Sequence, residues 1–223
     1  MLSNKIKQAV IYECNHNIVP DPTFDYSADG YPSDWFVNYF SFLGDTSLQK
    51  NLGEAFYQAR FVYKLMKELH LTKAKYYAFV KFQIIQYASI YEAILDYCLE
   101  KYHKDEIMTR YAEVAYVPAP ILASKTTVKY NSEEVFLCLK RIRKKPIKLI
   151  RIQDRTEFAV EKSMISDAMR TRICNLYDTR NNIHILKATQ SKYVPNLTEA
   201  KTAYSLMGDF VSEIKAYISS MNA

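Results

Sequence analysis

The sequence predicts an all-α protein with a small extended or β insert. Glycine and proline are scarce, with 4 and 7 occurrences in 223 residues, which favours long uninterrupted helices. Apolar residues make up 49% of the chain, enough to bury a substantial core. Several segments also place apolar side chains three and four residues apart, the spacing of one helix face. We therefore expect one compact, mostly helical domain.

Helices can be assigned in order along the chain. After a predicted loop over 15–32, Ser33 and Asp34 form a cap signal before the aromatic residues at 35–40. The longest helical pattern, over 73–102, is apolar on nearly all sides, so we expect this helix in the middle of the bundle. Within the helical pattern over 156–184, Ser166 is expected to begin a second helical part. Helical spacing covers 48–69, 73–102, 156–184 and 197–221.

The segment between 103 and 152 breaks this pattern. Alternating apolar residues at 114, 116, 128 and 130, together with two prolines, predict a hairpin or an extended insert. Over 132–145, acidic residues come first and basic residues last, which suits a helix dipole and predicts a helix ended by Pro146. A strand over 135–139 is the alternative, because short apolar runs are ambiguous. Residues 147–152 are predicted to be extended.

Composition narrows the classes of function. The net charge of +6 leans mildly towards acidic partners such as nucleic acid. Cys14, Cys98, Cys138 and Cys174 are widely separated, so we expect buried free thiols rather than a metal site. No glycine-rich phosphate loop is present, and no cofactor is expected. Without a secretory signal or a membrane-length apolar run, a cytoplasmic location is expected.

The feature that most directly suggests chemistry is the pentapeptide Arg180-Asn181-Asn182-Ile183-His184. In a helix, Arg180 and His184 would lie on one side, about 40° and about 6 Å apart. Arginine is a permanent cation whose fork fits phosphate, and histidine exchanges protons near neutral pH. Together these side chains offer a metal-free route to phosphodiester cleavage.

This pentapeptide, near the end of a helical domain, resembles the signature of the HEPN superfamily. That family consists of four-helix bundles, many of them ribonucleases in toxin–antitoxin, abortive-infection and CRISPR systems. The run Tyr87-Ala88-Ser89-Ile90-Tyr91-Glu92-Ala93-Ile94-Leu95 is similar to the family's early core helix. The family pattern places four to six residues between arginine and histidine, so the spacing here is one residue shorter.

The resemblance implies a division of the chain into two parts. It covers 72–221, apart from an insert at about 104–150. We therefore expect a HEPN-like domain over 72–223, with a helical extension over 1–71 that packs on it.

The resemblance also implies an activity. Two subunits would pair as a homodimer, with RNA in the cleft between two copies of the motif. His184 would move the proton of the ribose 2′-hydroxyl or of the leaving oxygen, Arg180 would stabilise the charge on phosphate, and Asn181 would position either group. Three further residues are expected in supporting positions: Asn182, Glu92 and Tyr177. The expected setting is a bacterial defence or toxin system, with a possible antitoxin or defence-system partner protein.

Two surrounding features bear on this hypothesis. Glu92 lies in an apolar helix, so its burial should require a cationic partner such as Arg180 or Arg172. A basic stretch offers contacts to an RNA backbone, although it could equally be a solvated surface. Its candidate RNA-binding residues are Lys140, Arg141, Arg143, Lys144 and Lys145, and it continues through Lys148 and Arg151 to Arg155. A non-catalytic module that binds RNA or a partner protein is the main alternative, and a purely structural helical protein is the third.

Overall fold

The computed structural model describes residues 34–69, 71, 73–118, 128–135, 138–183 and 192–222, together with the single positions Lys5 and Gln190. Within these residues, six α-helices accompany two small antiparallel sheets of two strands each, which confirms the predicted fold class. The helices are α1 Asp34–Asn38, α2 Thr46–Glu68, α3 Lys73–Arg110, α4 Ile152–Glu161, α5 Asp167–Asn182 and α6 Leu197–Met221. None of these helices is both long and apolar enough to cross a bilayer.

Helix α3 lies at the centre of the bundle, as its apolar pattern predicts. It contacts α2, α4, α5 and α6, and its buried residues point in several directions around the axis. The buried Tyr91 hydroxyl donates to the Ala203 carbonyl of α6 at 2.6 Å. Helix α3 ends at Arg110 rather than at 102, with non-helical backbone angles at His103. The fully buried Ile107 shows why: the last turns of α3 also contribute to the core.

Capping contacts fix the starts of the two helices that flank the motif. Ser166 Oγ accepts from the Met169 amide at 3.1 Å, which confirms the predicted start of α5. Glu213 of α6 accepts from both the Ser166 amide and its hydroxyl, at 2.7 and 2.8 Å. Asn196 and Glu199 form a reciprocal capping box at the start of α6. The two Glu213 bonds connect the start of α5 to α6.

The insert is a β structure, and the predicted helix over 132–145 is wrong. Its strands are β1 Glu113–Pro118, β2 Val128–Tyr130, β3 Glu133–Val135 and β4 Cys138–Arg143. Strand β1 pairs antiparallel with β4, and β2 pairs with β3. The favourable charge order for a helix is a local effect worth a fraction of a kcal/mol, whereas pairing with β1 gives every residue of β4 a cross-strand partner. The strand alternative was therefore nearer the structure.

The chain after β4 also differs from its prediction. Residues 147–152 are not extended throughout, because a 3₁₀ turn at Ile147–Leu149 precedes α4, which begins at Ile152. Ile147 and Ile150 are buried, so this turn closes the base of the bundle and leads the chain back into the core.

The described part of the N-terminal region packs on the bundle through aromatic rings. Phe36 and Phe40 are fully buried and meet Phe56 of α2 with ring centroids 5.4 and 6.1 Å apart. Phe56 in turn lies 6.3 Å from Tyr87 of α3. The predicted loop over 15–32 lies outside the described residues.

Two helical glycines provide a matched test of this packing. A methyl group at Gly53 would lie 2.9 Å from the Val37 amide and 3.0 Å from the Phe36 carbonyl carbon, whereas nothing lies within 4 Å of one at Gly208. We expect Gly53→Ala to lower the free energy of unfolding by about 1–3 kcal/mol, because α1 must shift. Gly208→Ala should raise it by about 0.5–1 kcal/mol. Urea denaturation followed by circular dichroism measures both, and equal effects would contradict the close α1–α2 contact.

Candidate functional site

A buried arginine joins two helices beside the motif. Arg155, in the first turn of α4, has a side chain only 3% exposed. Its Nη2 donates to Glu92 Oε1 of α3 at 2.7 Å, and its Nη1 donates to Asp96, one turn further along α3. A buried cation is tolerated only when it is paired and hydrogen-bonded. The two carboxylates therefore fix the position of α4 against α3.

This geometry corrects two expectations. The partner of Glu92 is Arg155, not Arg180 or Arg172, because Arg172 bonds Asp209 of α6 at 3.2 Å. Because its side chain is buried, Arg155 does not belong to the basic surface predicted from the sequence. One signal for the cluster was present in the sequence: Glu92 and Asp96 are four residues apart, hence on one face of α3.

Tyr177 extends the cluster to the pentapeptide. Its hydroxyl lies 3.1 and 3.2 Å from the two carboxylate oxygens of Glu92 and donates to that group. Its ring lies under the guanidinium of Arg180, with the Arg180 carbon Cζ 5.1 Å from the ring centroid. Burial and the adjacent Glu92 raise the pKa of Tyr177, so its hydroxyl remains a donor at neutral pH.

Arg180 is a half-buried cation whose contacts leave it available. Its Nη1 approaches Asn181 Oδ1 at 3.5 Å, at the limit of a hydrogen bond. No carboxylate pairs with Arg180 among the residues described. Asn182, also half-buried, is the last residue of α5. Arg180 therefore contacts Asn181 and Tyr177 directly and is connected to Glu92 only through Tyr177, within the described residues.

His184 lies outside the described residues, so the expected juxtaposition of Arg180 and His184 stays a prediction. Helix α5 ends at Asn182, and Ile183 forms its C-cap with right-handed helical angles.

Burial and charge act in opposite directions within the cluster. Burial raises the pKa of Asp96, and this effect outweighs the attraction of Arg155. Burial also opposes the charge on Arg155, but Asp96 and Glu92 outweigh that effect and raise its pKa. The Arg155 Nε is buried without a hydrogen-bond partner in the described part of the protein. Arg155 is thus a fully charged structural group at the floor of the site.

The predicted RNA-binding residues lie on the insert rather than beside the motif. Lys140, Arg141 and Arg143 belong to the exposed strand β4. Lys144 bonds Asp105 of α3 at 2.7 Å, and Lys145 pairs with Glu113 at the start of β1. Lys144 thus connects the end of the ribbon to α3, Lys145 connects its two strand ends, and the other three residues form no ion pair with a described residue.

Sequence reasoning also missed a groove between α5 and α6. It has a volume of about 660 Å³ and a rim of hydroxyl, amide and charged groups over an apolar floor. Arg172, Asn175 and Thr179 line its α5 side. They lie on a different face of α5 from Tyr177 and Arg180, since their positions differ by about 80–160° around the helix.

The thiols and other metal-ligating side chains that the structure describes are dispersed. Cys98 is buried, and burial raises the pKa of its thiol to about 12. Cys138 is exposed on β4, contrary to the expectation of buried thiols, and Cys14 lies outside the described residues. No cluster of three or more histidine, cysteine or acidic side chains occurs within the described ranges.

Comparison with protein-family models, curated proteins and solved structures finds no match to this chain.

Two nearby arginines test the role of the cluster. Arg155→Met leaves Glu92 and Asp96 facing each other without a cation, so the free energy of unfolding should fall by about 3–5 kcal/mol. Arg151→Met is the matched control, because Arg151 is 78% exposed and, among the described residues, bonds only the neighbouring Asp154. Its effect should be at most about 1 kcal/mol. Chemical denaturation measures both, and similar losses would show that Arg155 does not hold the helices together.

Proposed function

We propose that this protein is a metal-independent endoribonuclease that cuts RNA by attack of the 2′-hydroxyl, within a bacterial defence or toxin system. The observation that supports the proposal best is the setting of Arg180: a half-buried guanidinium on the Tyr177 ring, without a carboxylate partner in the described part of the chain. The resemblance of the pentapeptide to the HEPN signature supplies the rest of the chemistry.

Comparison with neighbouring arginines makes the setting of Arg180 informative. The other two arginines of α5 each bond a carboxylate: Arg170 bonds Asp167 at 2.7 Å, and Arg172 bonds Asp209 at 3.2 Å. A guanidinium neutralised in this way is a weaker phosphate ligand. Arg180 retains its charge and its donor fork, which is the arrangement that stabilises negative charge on a phosphate in the transition state.

The buried cluster gives Arg180 a defined position. Glu92 holds the Tyr177 hydroxyl, and the Tyr177 ring supports the guanidinium. Glu92 itself is held by Arg155. A cation positioned by packed neighbours loses little conformational entropy when it binds a charged group.

His184 would complete the reaction as the proton-transfer group. In the proposed step, the 2′-oxygen attacks phosphorus as its proton leaves, and the 5′-oxygen departs and is protonated. His184 accepts the first proton or donates the second, and Asn181 orients the phosphate or the imidazole. This reaction requires RNA, because DNA lacks the 2′-hydroxyl. Two subunits would present their motifs to one cleft, as a homodimer.

The second candidate is a non-catalytic module that binds RNA or a partner protein. The shortened spacing supports it, together with the end of α5 at Asn182, two residues before His184. Such a module would retain the pentapeptide for folding or pairing.

A cleavage assay separates the two candidates. Wild-type protein should cut single-stranded RNA in the presence of EDTA and leave the equivalent DNA intact. Arg180→Ala and His184→Ala should each lower the rate by about 100-fold or more, since one loses charge stabilisation and the other proton transfer. Arg172→Ala is the matched control from the same helix and should cut normally.

The outcomes are distinguishable. RNA that is bound but left intact by the wild type would support the binding module. Cleavage by Arg180→Ala at the wild-type rate would exclude the proposed chemistry. Circular dichroism of each variant verifies that the fold is unchanged.

Tyr177→Phe tests whether the cluster positions Arg180. The ring remains under the guanidinium, but the hydrogen bond to Glu92 is lost. We expect a kcat several-fold lower with KM nearly unchanged, because the misplaced group acts mainly in the transition state. Single-turnover and steady-state kinetics on one RNA measure this effect. A rise in KM alone would indicate that Tyr177 contributes to substrate binding instead.

A further inference from the structure

We propose that the ribbon formed by β1 and β4 is a docking arm for single-stranded RNA, in which Tyr116 stacks on an unpaired base and Lys140, Arg141 and Arg143 bind phosphates. This inference deepens the proposed function, on which it rests for the identity of the polymer.

The arm is exposed on both of its faces. Tyr116 is 68% exposed and Ile142 is 79% exposed, and every residue of β4 is exposed. A two-stranded ribbon that buries neither face is only marginally stable alone in water. Apolar side chains held in this position are typical of a surface that a partner covers.

The register of the ribbon determines which side chains share a face. Tyr116 lies directly opposite Lys140, and Val114 lies opposite Ile142. Directly paired residues project to the same side of an antiparallel ribbon. One face therefore presents an aromatic ring, a cation and two aliphatic side chains, which is the composition of a base-stacking platform.

Charge favours a polyanion as the occupant. Lys140, Arg141 and Arg143 form no ion pair with any described residue, and the one acidic residue of the two strands, Glu113, pairs with Lys145. Arg141 and Arg143 occupy the reverse face, but the two backbones of the ribbon are only about 5 Å apart. Long side chains from that face can therefore reach a strand lying along the edge.

The root of the arm lies beside the buried cluster. The Tyr111 hydroxyl, just before β1, donates to the backbone carbonyl of Asp154 at 3.2 Å, and Asp154 immediately precedes Arg155. Just after the other strand, β4, Lys144 bonds Asp105 of α3. The root of the arm is therefore bonded to α4 next to Arg155, and Arg155 is connected through Glu92 and Tyr177 to Arg180.

The same observations disfavour other occupants. A second copy of this ribbon would bring two cationic strands together, and like charges in register are destabilising. Duplex RNA hides the faces of its bases, so Tyr116 could not stack on it. An acidic protein would pair with the cations without contacting an exposed aromatic ring. The effect of replacing Tyr116 on binding therefore distinguishes single-stranded RNA from an acidic protein.

The test measures binding with cleavage disabled. All proteins carry His184→Ala, and a fluorescein-labelled 20-nucleotide single-stranded RNA reports affinity by fluorescence anisotropy at several salt concentrations. Lys140→Gln, Arg141→Gln and Arg143→Gln combined should weaken binding by more than tenfold and reduce the salt slope by about 2, for three lost phosphate contacts. Tyr116→Ala should weaken binding roughly tenfold with the slope unchanged. The matched control combines Lys50→Gln, Lys201→Gln and Lys215→Gln, the same loss of charge at exposed positions elsewhere.

Each outcome decides the proposal. Equal losses in the arm and control variants would overturn it, because net charge alone would then explain binding. An unchanged affinity of Tyr116→Ala would overturn base stacking, and so would duplex RNA bound as tightly as single-stranded RNA. Failure of wild-type protein to cut RNA, with the arm effects present, would reject the ribonuclease proposal and leave the docking arm intact. Normal cleavage by the wild type with no effect of the arm substitutions on binding would support the ribonuclease proposal and overturn the docking arm.

Discussion

The arrangement of this protein depends on one buried guanidinium. Arg155 connects α4 to two carboxylates of α3, and one of these carboxylates also accepts the hydroxyl of Tyr177 from α5. These bonds connect the three helices, and removing Arg155 would leave its two partly buried carboxylates without a cation. Apolar contacts elsewhere in the core tolerate small rearrangements, whereas directional bonds to a buried cation tolerate very few.

This constraint connects stability to the candidate site. The same Tyr177 that bonds Glu92 supports Arg180 with its ring, so the position of the proposed phosphate ligand follows from the buried cluster. The cluster thus separates two roles of arginine within one site. Arg155 is ion-paired and structural, while Arg180 forms no ion pair with a described residue.

The insert follows a different physical rule from the bundle. The helices are stabilised by a continuous core around α3, but the β1–β4 ribbon buries neither face, and Tyr111 and Lys144 bond its root to the bundle. Such a ribbon contributes little to the stability of the bundle. Its exposed ring and cations form the surface that we propose for RNA docking.

The sequence by itself determined the features that local chemistry controls. The start of α5 at Ser166 and the bounds of α6 were predictable, because a cap residue and a regular apolar spacing act within a few residues. The central position of α3 followed from its apolar surroundings. Only the tertiary structure decided that Glu92 pairs with Arg155, 63 residues away, and that β4 is a strand. Both depend on which distant segment lies alongside, and neither spacing nor charge order within one segment contains that information.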